Sequence, residues 1–356
     1  VAALSPRMSL EQWRYFFADH GYNPPPTWTM IGGSLTSRVS LDHLAWITML
    51  DLLLVLCLFA AIARVCGLDA VLYAALFFLA TFSGDWPMLG DAILRFDWLV
   101  ATVGAYLALR ADRPALAGAL LGYATAVRVF PAVFAMPVVI AIGIELARTR
   151  QLAQPARRFL AGGAGALAVL LGAALLTQGS GAFAQSARNL AMHASPDSYS
   201  SARVGLGDAL VYRGERTREA LNPGGIPAKA RKLAALRPIT FGAGAAMLVL
   251  IGLAAARRRG ALAELMPLGF VLLFCLTNPQ LNYFNVRLLL VLWHLREPRR
   301  PHDLVALGLL FAVEIACHAV SLAGSISYGT TSVTSVGLVL YCALIAAATW
   351  RDGRRP

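Results

Sequence analysis

The chain is expected to fold as an all-α polytopic membrane protein, a helical bundle of about eleven visible transmembrane helices. Three observations carry that expectation. Hydrophobic residues make up 58% of the 356 and charged ones only 14%, against roughly 25% charged in a soluble domain. Apolar stretches of about 15–22 residues, long enough to cross a bilayer, recur along the whole chain. Arginines sit in every second connection between those stretches, and the short connections between carry almost none.

In order, the apolar stretches run at about 45–66, 69–83, 94–110, 114–128, 130–147, 158–177, 238–256, 262–276, 282–295, 303–324 and 332–350. The arginine-rich turns are Arg64; Arg110 and Arg113; Arg148, Arg150, Arg157 and Arg158; Arg257 to Arg259; and Arg296, Arg299 and Arg300, with Arg351, Arg354 and Arg355 at the tail. Positive residues are retained on the cytoplasmic side, so these turns and the C-terminus are placed inside. A multi-pass placement with an outward-facing site is expected. Four regions follow: an outer segment 1–44, a first bundle 45–177 with an acidic outer loop, an outer basic loop 178–237, and a second bundle with tail, 238–356. An odd number of visible spans with an inside C-terminus is the count expected if one more helix precedes residue 1.

The net charge of +12 would suggest nucleic acid in a soluble protein. Here most of it lies in inside turns, where it orients the chain and meets anionic headgroups. Membrane lipids are therefore expected partners and nucleic acid is not. The five cysteines, Cys57, Cys66, Cys275, Cys317 and Cys342, lie in or beside apolar segments without a CxxC spacing, and read as packing residues.

Residues 1–44 interleave aromatics with a stiff Pro24-Pro25-Pro26 run and Trp28, which suits either a segment lying at headgroup level or a substrate-facing loop. Within it Asp19 is a candidate base beside His20. The loop 178–237 is rich in Arg and Lys and reads either as a headgroup-binding surface or as a partly helical cap that grips a phosphate, with Arg203 and His193 as candidates.

The richest stretch runs from Gly84 to Trp98. Asp85, Asp91 and Asp97 with Arg95 crowd the outer mouth of two helices. A carboxylate there can take a proton from an attacking hydroxyl or hold a divalent cation together with phosphate oxygens; capping and an Arg–Asp pair are the plainer alternative. No metal-ligand set is evident, and a divalent cation stays open as a cofactor. Arg128 ends one apolar run; a charge at membrane depth costs roughly 2.5–3.5 kcal/mol, so it should face a cavity or a partner. Its guanidinium fork suits a phosphate. Asn282, Tyr283, Asn285 and Arg287 crowd another helix entrance, where amide and phenol groups can hold sugar hydroxyls or cap and cross-link helices. Glu314 and His318, one turn apart, are placed to pair with each other, and Asp51 reads as an embedded structural acid.

The run Arg95-Phe96-Asp97-Trp98-Leu99, then Arg113-Pro114-Ala115-Leu116-Ala117-Gly118 through Thr125, ending Arg128-Val129-Phe130-Pro131, resembles the GT-C superfamily of integral-membrane glycosyltransferases, in its bacterial polyprenyl-phosphate-sugar-dependent, mannosyltransferase-like branch. The resemblance covers about 40 residues, beyond which only the hydropathy layout matches. It implies a GT-C-like bundle, a donor sugar on a polyprenyl phosphate, an acceptor reached from the outer leaflet, and acids in the first two outer loops. Asp85 and Asp91 match the second loop; Asp19 stands in for the first, whose usual helix is not visible. Arg128 matches the basic residue before the Pro turn. A transporter or flippase of a lipid-linked or anionic solute, and a non-catalytic scaffold subunit of a membrane complex, are the alternatives.

Overall fold

A computed structural model describes residues 24–40, 43–82, 93–193, 203–211, 225–257, 262–296, 300–324 and 328–352. Over these residues the chain is almost wholly helical, and the β geometry among them is one isolated bridge between Arg203 and Gln280. Asp19, Asp85 and Asp91 lie outside the described residues.

Helix α1 (Pro26–Thr36) opens on a proline at its first position, where no amide is needed. Helix α2 (Leu44–Cys66) stops at Gly67, whose φ of +91° suits a residue without a Cβ, and α3 (Leu68–Ala80) begins at once. Helices α4 (Asp97–Arg110) and α5 (Pro114–Val127) form a tight antiparallel pair. Helix α6 (Ala132–Thr149) follows, and then α7 (Gln154–His193), which is interrupted at Gly179, φ +77°. The short α8 (Leu206–Val211) precedes α9 (Gly225–Arg257) and α10 (Leu262–Leu276). A 3-10 segment, Leu281–Val286, runs directly into α11 (Arg287–His294), followed by α12 (Pro301–Leu322) and α13 (Tyr328–Asp352).

Six of these helices are long and apolar enough to cross a membrane: α2, α6, α7, α9, α12 and α13. The shorter apolar ones include α3, α5 and α10. The distribution of side chains is inverted relative to a soluble protein. Leu53, Leu72 and Leu176 are 56, 63 and 89% exposed, while the buried set includes Asp51, Asp97, Arg287, His294 and Asp303. An exposed apolar surface of this extent matches lipid, and the chain is a multi-pass helical membrane protein.

Two features position the end of the bundle that carries Arg128. Helix α11 is buried on every side, from Arg287 to His294, and forms the axis of the second half. Helices α5 and α7 touch backbone to backbone: a Cβ on Gly118 would meet the carbonyl of Phe159, and one on Gly162 the carbonyl of Ala115. Gly118 and Gly122 supply the small-xxx-small spacing that lets membrane helices approach so closely. Helix α1 packs on α7 and α5, and brings Trp28 beside Arg128 at the end of α5.

The helix limits differ from the apolar stretches at one place with a physical cause. The loop 178–237, read either as a headgroup-binding surface or as a partly helical cap, is helical at both ends among the described residues: α7 resumes beyond the break at Gly179 and α9 begins at Gly225. The segment from Ala228 to Arg237 is Ala-, Leu-, Lys- and Arg-rich. Its helix propensity is high although its hydropathy is low.

Candidate functional site

Asp97 opens α4 and is almost fully buried. Its Oδ1 accepts the backbone N–H of Trp98 at 2.6 Å and its Oδ2 accepts the hydroxyl of Tyr123, from α5, at 2.9 Å. Asp51, deep on α2, accepts the backbone N–H groups of Arg95 and Phe96, each at 2.9 Å. One carboxylate therefore fastens the start of α4 to α5, the other fastens it to α2. The charge of Arg128 acts on both carboxylates.

Arg128 stands at the C-terminal end of α5 in an extended conformation. One terminal nitrogen donates to the carbonyl of Val127 at 3.0 Å. The guanidinium lies 5.4 Å from the ring centre of Trp28, a cation–π distance. Among the described residues, Nε of Arg128 and Nε1 of Trp28 are buried without a hydrogen-bond partner. Buried polar atoms are nearly always satisfied, so both donors are open to an acceptor beyond those residues.

Beside them Trp98, Phe130 and Tyr283 meet edge to face, with centroids 4.8, 4.9 and 5.7 Å apart. Trp98 is buried, while Phe130 and Tyr283 keep part of their rings exposed. The backbone N–H of Tyr283 donates to the carbonyl of Gln280 at 3.0 Å, Val204 N–H donates to Pro279 O at 3.0 Å, and Arg203 pairs with Gln280. Thus Arg95, Asp97, Arg128, Arg203, Asn282 and Tyr283 come to one end of the bundle from four separate stretches of chain. His193 closes α7, and its side chain is outside the description. Among the described residues no three His, Cys, Asp or Glu side chains form a metal-holding group.

Asn285 and Arg287 sit deeper, both buried. Arg287 forms an ion pair with Glu314, donates from Nε to Phe284 O at 2.9 Å and lies 3.4 Å from the hydroxyl of Thr81. Glu314 also accepts Thr81 Oγ1 at 3.0 Å and Phe82 N–H at 2.6 Å. The expected Glu314–His318 pair is replaced by these contacts: His318 Nε2 donates to Ala80 O at 2.8 Å. The reason is geometric, since α3 ends against α12 and offers open backbone groups that a neighbour on the same helix does not.

At the arginine-rich end lies a second buried network. His294 has Nδ1 2.8 Å from Asp303 Oδ1 and Nε2 2.8 Å from the Tyr341 hydroxyl. Arg296 bonds Asp303 at 3.2 Å and Glu264 at 2.7 Å, and Asp303 Oδ2 accepts Arg300 N–H at 2.9 Å. These groups link α10, α11, α12 and α13.

No family model, no curated protein and no solved structure matches the chain. Function therefore rests on the chemistry of the end that carries Arg128 and Trp28.

Tyr123 and Asp208 are residues at this end that motif reading does not single out, whereas Trp28 stands in the aromatic run of residues 1–44. The signal for Tyr123 is present in the hairpin. Folding 97–110 back on 114–127 sets Asp97 near Val127, and Tyr123 is one turn along the same face.

Proposed function

We propose that the protein is a membrane glycosyltransferase of GT-C-like fold, moving a sugar from a polyprenyl-phosphate donor to an acceptor on the extracytoplasmic side. On this reading it resides in a bacterial inner membrane, with the bundle crossing about eleven times and the C-terminus cytoplasmic. The observation that carries the proposal is the pair of unused donors on Arg128 and Trp28, beside buried Asp97 and the partly exposed rings of Phe130 and Tyr283. Donors of this kind fit a phosphate; a partly exposed aromatic edge with an adjacent amide, Asn282, fits a sugar.

The reaction is a displacement at the anomeric carbon. The acceptor oxygen forms the new bond as the bond from that carbon to the phosphate oxygen breaks, and its proton passes to a carboxylate. Asp85 and Asp91, in the outer loop that ends beside Arg95, are the preferred bases, with Asp19 as the other candidate. The leaving phosphate keeps the electron pair and is stabilised by Arg128 and Arg95. Tyr283 and Asn282 orient sugar hydroxyls.

The test uses the purified full chain in lipid nanodiscs with a polyprenyl-phosphate hexose. The wild type should be stabilised thermally by the donor and release polyprenyl phosphate. Arg128→Ala should lose the stabilisation and about 10²–10³ of the turnover. A folded wild type that neither binds nor consumes any such donor overturns the proposal.

A further inference from the structure

Residues 203–211 lie far from Gln280 in sequence, yet they are keyed into the same end of the bundle. Val204 donates to Pro279 O and Gly205 N–H donates to Ser335 Oγ on α13, at 3.0 and 3.3 Å. The fit at Gly205 is close: a Cβ there would meet the side chain of Asn278 and, at 2.7 Å, the carbonyl of Thr277. Asp208, at 5% exposure, is buried with them, and Lys229 of α9, at 6%, is the principal opposite charge acting on it. This is a large commitment of buried polar groups for a short segment.

We infer that residues 203–211 form a strap, keyed by Gly205 between α13 and the segment after α10, that positions Arg203 at the rim of the donor site. The chain of contacts is short. Arg203 pairs with Gln280, Gln280 O accepts the amide of Tyr283, and the Tyr283 ring packs on Phe130, which follows Arg128 by two residues. Gly205 never touches the donor and acts through Arg203; it is a positioning residue. The role given to Arg203 rests on the glycosyltransferase reading, whereas the seating of the strap does not.

Two measurements on the full chain in nanodiscs separate these. Amide hydrogen exchange should find Val204 and Gly205 protected in the wild type, and Gly205→Val should raise exchange across 203–211 by about tenfold or more while α5 and α7 keep their protection. Ser335→Ala, a milder change, should raise it by a smaller factor. With a polyprenyl-phosphate hexose as donor, Gly205→Val should raise the KM for donor as Arg203→Ala does, leave kcat nearly unchanged, and add little in the Arg203→Ala background. A strap that exchanges freely in the wild type, or effects of the two substitutions that multiply in full, overturns the inference. Absence of all donor turnover with a protected strap would instead count against the glycosyltransferase reading and against Arg203's role, leaving the seating intact.

Discussion

Glu314 of α12 and Arg287 of α11 face each other as an ion pair inside the bundle, their side chains 3 and 1% exposed. The pair does more than join two helices. Through Thr81 and Phe82 it holds the end of α3, the point from which the chain sets out toward Asp85 and Asp91. Asp51 holds the point where that excursion ends, at Arg95 and Phe96. Both roots of the acidic stretch are thus gripped by buried carboxylates that accept backbone amides.

Removing one partner of a buried pair leaves the other uncompensated. Glu314→Ala should therefore destabilise the folded protein by roughly 3–5 kcal/mol, measured by denaturant unfolding in mixed micelles. The double change Arg287→Met with Glu314→Leu should cost less than either single change. Equal or additive losses would contradict an ion-pair role.

Asp51→Ala removes the acceptor for two buried amides, and each unsatisfied group costs about 1–3 kcal/mol. Asp51→Asn retains one carbonyl acceptor and should recover part of that loss. Identical unfolding curves for Asn and Ala would show that the two amides find other partners.

At the α5–α7 contact there is no room for added atoms. Gly118→Leu should disrupt folding outright, judged by loss of the monodisperse peak after extraction, and Gly162→Ala should lower stability by about 1–3 kcal/mol. Tolerance of Leu at 118 would mean that the two backbones are not in contact.

The strap should respond to pH. Burial pushes the carboxyl of Asp208 up to about 7 from its usual 3.8, with Lys229 and Arg203 pulling the other way. Those are the charged groups facing it; α13 and the segment after α10 bring Ser335 and Asn278, which do not titrate in this range. A raised carboxyl pKa means the docked strap holds its proton more tightly than the released one. Docking is then fullest at acid pH and weakens as pH rises through about 7. Corrected for intrinsic rates, protection of 203–211 should fall between pH 5.5 and 8.5, a range of about three units around that value, and Asp208→Asn should flatten the profile. A pH-independent wild type would refute the linkage.

The bundle was readable where hydropathy and chain-breaking residues coincide. The stretch 262–276 matches α10 at both ends, and 114–128 matches α5 within a residue, because Pro114 starts it and Arg128 ends it. Hydropathy was a poor guide to the charged first turns of α9, which are helical by propensity. The gathering of Arg95, Asp97, Arg128 and Tyr283 could be anticipated because each stands at the same end of an alternating helix. Arg287 illustrates the opposite case. It follows Tyr283 by one turn, and that one turn carries it from a half-open rim into the core, toward a glutamate 27 residues away that no local pattern pairs with it. Asp208 is similar: in sequence it is one more polar residue in a basic loop, and only its burial beside Gly205 and Lys229 sets it apart.

The network of His294, Asp303, Arg296, Glu264 and Tyr341 stitches four helices together at the arginine-rich end. The opposite end carries open aromatic edges, unused donors and a strap. Both poles are therefore pinned, the arginine-rich one by side chains bonded to one another and the other by carboxylates that hold backbone amides where chain segments begin and end.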